Sequence, residues 1–172
     1  GKWEAGLKYL FPLFAFALGV LIAEQIQHKY KYAKRLHWRQ GILGAEIIIL
    51  FIVGFIPQRG DMIATVLVSF ACAMQVQSFR KVNGFSYAST MCIGNLRSGT
   101  AALSFYLRER RPEQLRQAMY YLGIIVLFAI GAGIGGNLSA NYGIHMIWVS
   151  CGLLIVSFLL MFLDIEARRS RA

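Results

Sequence analysis

Charge is scarce in this chain: Asp, Glu, Lys and Arg make up 15% of its 172 residues, against 57% hydrophobic. Soluble domains carry charge on about a quarter of their residues, so most of this chain is not built for contact with water. Histidine and cysteine are also few, three of each, and their spacing carries no chemistry. His28, His37 and His145 form no His-Glu-x-x-His pair, and Cys72, Cys92 and Cys151 form no Cys-x-x-Cys pair. No Gly-x-Ser-x-Gly elbow occurs. The run Gly131-Ala132-Gly133-Ile134-Gly135-Gly136 follows no strand and precedes no Lys-Ser/Thr pair, so it is not a phosphate loop. These absences argue against an enzyme and leave no cofactor and no metal to expect; an intramembrane hydrolase is the remaining enzymatic alternative.

What is present is a series of apolar blocks. They run over Leu7–Ile26, Gly41–Ile56, Met62–Phe79, Ala118–Leu138 and Ile144–Leu163. A helix rises about 1.5 Å per residue, so about 20 residues cross a hydrocarbon layer of roughly 30 Å. The second block is short and is expected to extend over residues 40–57, with Arg39 snorkelling at its start. Buried helices of a soluble protein keep a polar stripe every 3.6 residues, whereas Ile47–Val53 and Ile124–Ile130 are apolar on every side. The expected fold is an all-α polytopic transmembrane bundle with five spanning helices, at about 7–26, 40–57, 62–79, 118–138 and 144–163.

Charge placement orients the bundle. Lys29, Lys31, Lys34, Arg35 and Arg39 crowd the first connection, Arg80 and Lys81 follow the third block, Arg108, Arg110, Arg111 and Arg116 precede the fourth, and Arg168, Arg169 and Arg171 close the chain. The alternate connections hold Arg59 alone or no base. The positive-inside rule puts the basic connections and the C-terminus in the cytoplasm, and the net charge of +10 suits anionic lipid head groups. Basic and aromatic residues alternate from His28 to Tyr32, as on a single-strand surface, but they lie between membrane blocks, so the expected partner is the bilayer and not nucleic acid. Homo-oligomerisation stays open.

Ser86–Leu107 is long enough to cross but carries many polar residues and is flanked by bases at both ends. A re-entrant segment over residues 86–107, broken near Gly94-Asn95, satisfies the charge rule at both ends and would line a cavity, because lipid cannot satisfy non-helical backbone. A polar helix lying in the cytoplasmic interface is the alternative.

Displacing the sequence by 112 residues lays Tyr9-Leu10 on Tyr121-Leu122 and Phe16-Ala17-Leu18-Gly19 on Phe128-Ala129-Ile130-Gly131. By the charge argument these two helices run in opposite directions, the pattern of an inverted repeat, which is common in secondary transporters. Chance similarity of two apolar helices is the plainer account. Gly1-Lys2-Trp3-Glu4 has no signal-peptide pattern, and the incomplete repeat leads to the expectation that a further N-terminal membrane segment precedes Gly1.

The run Ala73–Gly84, followed by Tyr87–Gly99 with Ile93-Gly94-Asn95, resembles the YoaK-like family of uncharacterised bacterial multi-pass membrane proteins. The resemblance covers most of the chain. It implies a six-helix protein of the bacterial inner membrane with a Thr-Gly-Asn motif whose second copy here lacks the Thr, and it supplies no substrate.

The candidate pathway residues are few. Glu46 sits within the second block, where an ionisable group is costly unless it faces a cavity or a partner; it is the candidate for proton coupling, with pairing to Arg39 or another loop cation as the alternative. Arg97 could meet an anionic substrate or Glu46, or snorkel to the interface. Asn83, Asn95, Ser98 and Thr100 offer uncharged hydrogen bonds, and Gly94 exposes backbone. Gln75 and Gln77 face different sides of the third helix, so at most one of them reaches a cavity, and either could instead bond between helices. Glu24 is expected as a solvated helix end. The functional expectation is a small-solute or ion transporter, against a non-transporting scaffold or sensor subunit.

Overall fold

The computed structural model describes residues 3–30, 38–82, 85–86 and 92–169. Six α-helices follow in chain order: α1 (Trp3–Tyr30), α2 (Trp38–Val53), α3 (Asp61–Ser78), α4 (Cys92–Glu109), α5 (Pro112–Tyr142) and α6 (Ile147–Arg169). Single 3-10 turns occupy Gln58–Gly60 and Gly143–Met146. The sole extended pairing among the described residues is a two-rung antiparallel ladder, Lys81 opposite Ser86 and Val82 opposite Phe85, so the fold is all-α.

Among the described residues, three stretches are long and apolar enough to cross a membrane: Lys8–Tyr30, Asp61–Ser78 and Pro112–Leu163. The last holds 52 residues and takes in α5, the 3-10 turn and α6. Its 52 residues are more than twice the roughly 20 that a single crossing takes. Large apolar side chains stay uncovered on these helices, among them Leu13, Phe14, Leu127 and Leu160, and between Val126 and Asn137 every residue of α5 is exposed. Surfaces of this kind are stable against lipid and not against water, consistent with an integral membrane protein.

The second helix corrects its expected bounds. Residues 40–57 were to be helical, but α2 ends at Val53 and spans 16 residues, about 24 Å. Gly54 and Phe55 tighten the last turn, where Phe55 N–H donates to Ile52 O and Ile56 N–H to Val53 O, each at 3.0 Å. Pro57 then bars the residue before it from helical geometry. The expected break at Gly94-Asn95 is also absent, for α4 runs through both residues. A lone glycine inside a helix costs only about 1 kcal/mol, too little to stop one. Helix α4 ends instead at Glu109, followed by Arg110, whose φ of +55° is left-handed, and Pro112 opens α5 at the position where a missing N–H is harmless.

Contacts divide the chain into two units, Gly1–Ser78 with Ser139–Ala172, and Phe79–Leu138. In the first, α3 packs against α1 and α2, and α2 packs against α6. The α1 face that meets α3 is made of small residues at every fourth position, Ala15, Gly19 and Ala23, all buried. This spacing lets backbones approach closely. A methyl added at Gly19 would lie 2.6 Å from Phe70 O and 2.8 Å from Ala73 Cβ. Polar bonds fasten the seam at two points, Ser69 Oγ donating to Pro12 O at 2.8 Å and the Gln77 amide donating to the Glu24 carboxylate. Glu24, exposed as expected of a solvated end, is also an interhelical acceptor.

At the far end of α2 the packing is aromatic. Trp148 of α6 lies 6.1 Å from the Phe51 ring, 5.1 Å from Phe55 and 5.2 Å from His145, centroid to centroid. Its indole nitrogen donates to Phe51 O at 3.3 Å, and His145 Nδ1 lies 3.1 Å from Gly54 O, so freed carbonyls of α2's last turn find partners on the other chain segment. Any side chain at Gly54 would collide with the Trp148 indole.

In the second unit, Asn95, Gly99 and Ala102 form the buried face of α4. A methyl at Gly99 would meet Tyr121 Cβ at 3.0 Å, which places α4 and α5 in contact there.

Candidate functional site

Helix α2 buries Trp38, Gln40, Ile42, Leu43, Glu46, Leu50 and Val53. Helical periodicity puts position 46 on the same side as 42, 43 and 50, so an acidic side chain enters a stripe that is otherwise aliphatic. Glu46 is 3% exposed, and its Oε2 has no hydrogen-bond partner. An unmatched buried acceptor of this sort costs on the order of 1–3 kcal/mol, more if charged, so the fold carries it at a loss.

Glu46 lines a half-open cavity of about 340 Å³, together with Leu50 of α2, Val68, Cys72 and Gln75 of α3, and Ile147, Ser150, Leu153 and Leu154 of the α6 segment. Beside it Leu50, Ala71 and Cys151 pack with Ile49, Val68, Ile147 and Leu154, and on α2's other flank Ala23, Trp38, Ile42 and Met74 form a second cluster. The packed clusters fix the three helices, so the cavity's walls are not loose. Its polar inventory is small: one carboxyl, one primary amide, one hydroxyl and one thiol. No Lys, Arg or His lies among the lining residues. Arg39, the partner weighed for Glu46, stands two turns earlier, about 10 Å along the axis, and its guanidinium stacks over the Trp38 ring at 5.3 Å.

Of the residues singled out in the sequence, Glu46 and Gln75 meet in this cavity, while Gln77 turns away to bond Glu24. Gly94, Asn95, Arg97, Ser98 and Thr100 share α4 in the other unit. There Asn95 is buried, Ser98 half-buried, and Gly94, Arg97 and Thr100 exposed. Asn83 lies outside the described residues. Two cavity residues were not singled out as pathway positions. Ser150 has no sequence signal, since isolated serines in apolar helices commonly bond their own backbone, and Cys72 has none either, since it lacks a Cys-x-x-Cys partner. All three cysteines are free. Among the described residues no group of three His, Cys, Asp or Glu side chains converges as a metal site would require.

Comparison with known proteins gives a family and no more. The profile of the family described as "Protein of unknown function (DUF1275)" matches residues 1–160, and the chain belongs to that family. No curated protein and no solved structure matches.

Proposed function

We propose, with membership of a family of unknown function as the premise, that this protein transports a small solute or ion, and that the Glu46 cavity is its central binding site. The observation that carries the proposal is a nearly inaccessible carboxyl with one oxygen unmatched, on a residue that lines a half-open cavity between three packed helices. Membrane proteins keep ionisable side chains in apolar helices where they serve substrate, ion or proton movement. Glu46 binds the solute or carries a proton, Gln75 and Ser150 orient what enters, and the protein performs no covalent chemistry.

The wider reading is the YoaK-like one: five crossings in this chain in the bacterial inner membrane, basic connections and C-terminus in the cytoplasm, and an inverted repeat pairing α1 with α5. It is supported by the charge asymmetry, by the 112-residue displacement, and by a Pro112–Leu163 stretch with length for two crossings. Reconstitution in proteoliposomes tests the transport function. Protein-dependent flux of at least one solute, lost in Glu46→Gln, is the expected result; a broad panel of cations, anions and neutral solutes with no flux above empty liposomes would overturn it.

A further inference from the structure

The chemistry of the cavity narrows what it can hold. Its one ionisable acid is Glu46, and its remaining polar atoms belong to Gln75, Ser150 and Cys72. An anion placed there would meet no cation to offset the loss of its hydration. A neutral, purely apolar solute would leave Glu46 Oε2 as unmatched as it is now. A ligand that brings N–H donors and a positive charge removes that deficit through charge-assisted bonds, and an apolar body would lie against Leu50, Val68, Ile147, Leu153 and Leu154. The volume of about 340 Å³ falls at the small end of ligand sites and suits a compact molecule.

We propose that the cavity between α2, α3 and α6 is a site for a small organic monocation, an ammonium group on a compact apolar body, with the ammonium on the Glu46 carboxylate and the Gln75 carbonyl and Ser150 hydroxyl as further acceptors. This rests on the transport reading for its biological meaning but not for its test, which reads binding and not flux.

Three probes of one shape and different head group separate the possibilities: benzylammonium, benzyl alcohol and benzoate, titrated calorimetrically into the full chain in lipid nanodiscs, with empty nanodiscs subtracted for partitioning. Saturable benzylammonium binding is expected, with benzyl alcohol weaker by about tenfold to a hundredfold, the worth of one charge-assisted bond, and no saturable benzoate binding. Glu46→Gln should weaken benzylammonium by a similar factor while leaving benzyl alcohol nearly unchanged. Ser150→Ala, which keeps the carboxyl and lies on an exposed position, should weaken it only a few-fold, and serves as the measurement if Glu46→Gln does not fold. Equal binding of the three probes, preference for benzoate, unaltered affinity in Glu46→Gln, or no saturable binding of benzylammonium each overturns the cation site. Cation binding without flux in proteoliposomes would remove transport and keep the site; protein-dependent benzoate flux would remove the site and keep transport.

Discussion

At the scale of single residues, Glu46 is the position where stability and function pull apart. Replacing it with leucine removes an unmatched buried acceptor and substitutes apolar atoms of similar volume, which buried polar groups often tolerate with a gain. Glu46→Leu should therefore raise the melting temperature of the purified protein, by about 1–3 kcal/mol in equivalent stability, and abolish flux. A fall in melting temperature would mean that the carboxyl holds the fold together. Cys72, on the cavity wall, offers a second handle. With Cys92 and Cys151 changed to alanine, a small maleimide should label Cys72, and benzylammonium should slow the labelling; equal rates with and without the amine would place the thiol outside the binding volume. Glu46 and Gln75 were legible in the sequence because polar groups inside apolar runs stand out. Ser150 was not, since it lies more than 100 positions from Glu46 in the chain, and only folding reveals that the two line one cavity.

Among the elements, the α1–α3 seam and its counterpart under the 112-residue displacement make opposite predictions for one chemical change. Gly19→Ala puts a methyl 2.6 Å from a backbone oxygen, and overpacking of this kind costs about 1–3 kcal/mol. At Gly131 an added methyl has nothing within 4 Å, so Gly131→Ala should be neutral or stabilising, by up to about 1 kcal/mol from helix propensity. Thermal unfolding in detergent, followed by helical circular dichroism, measures both; equal effects would mean that α5 packs as tightly as α1. Helices α1 and α3 were readable to within a few residues because uniform apolar runs leave no other choice of structure. The end of α2 was misjudged because hydrophobicity continues through Phe55 and Ile56 after Gly54 and Pro57 have already set the stop. Helix α4 was misjudged for the opposite reason, Gly94 being weighed as a breaker although Ile93 and Leu96 on either side favour continuing.

For the whole molecule, the orientation inferred from charge is open to a direct check. In a variant free of native cysteines, a cysteine at Arg59 should react with impermeant maleimide added outside intact cells, and one at Arg110 only after the membrane is opened. The reverse pattern would invert the bundle, and reaction of both from outside would cancel the proposed crossings. Motion of the whole bundle can be followed without added labels. If α6 swings from α2 to admit a solute, Trp148 must leave Gly54, Phe51 and Phe55 and give up its bond to the Phe51 carbonyl. With Trp3 and Trp38 changed to phenylalanine, the emission maximum of the surviving fluorophore should shift as this hinge parts and return as it shuts, an intrinsic optical gauge placed by the absence of a side chain at residue 54.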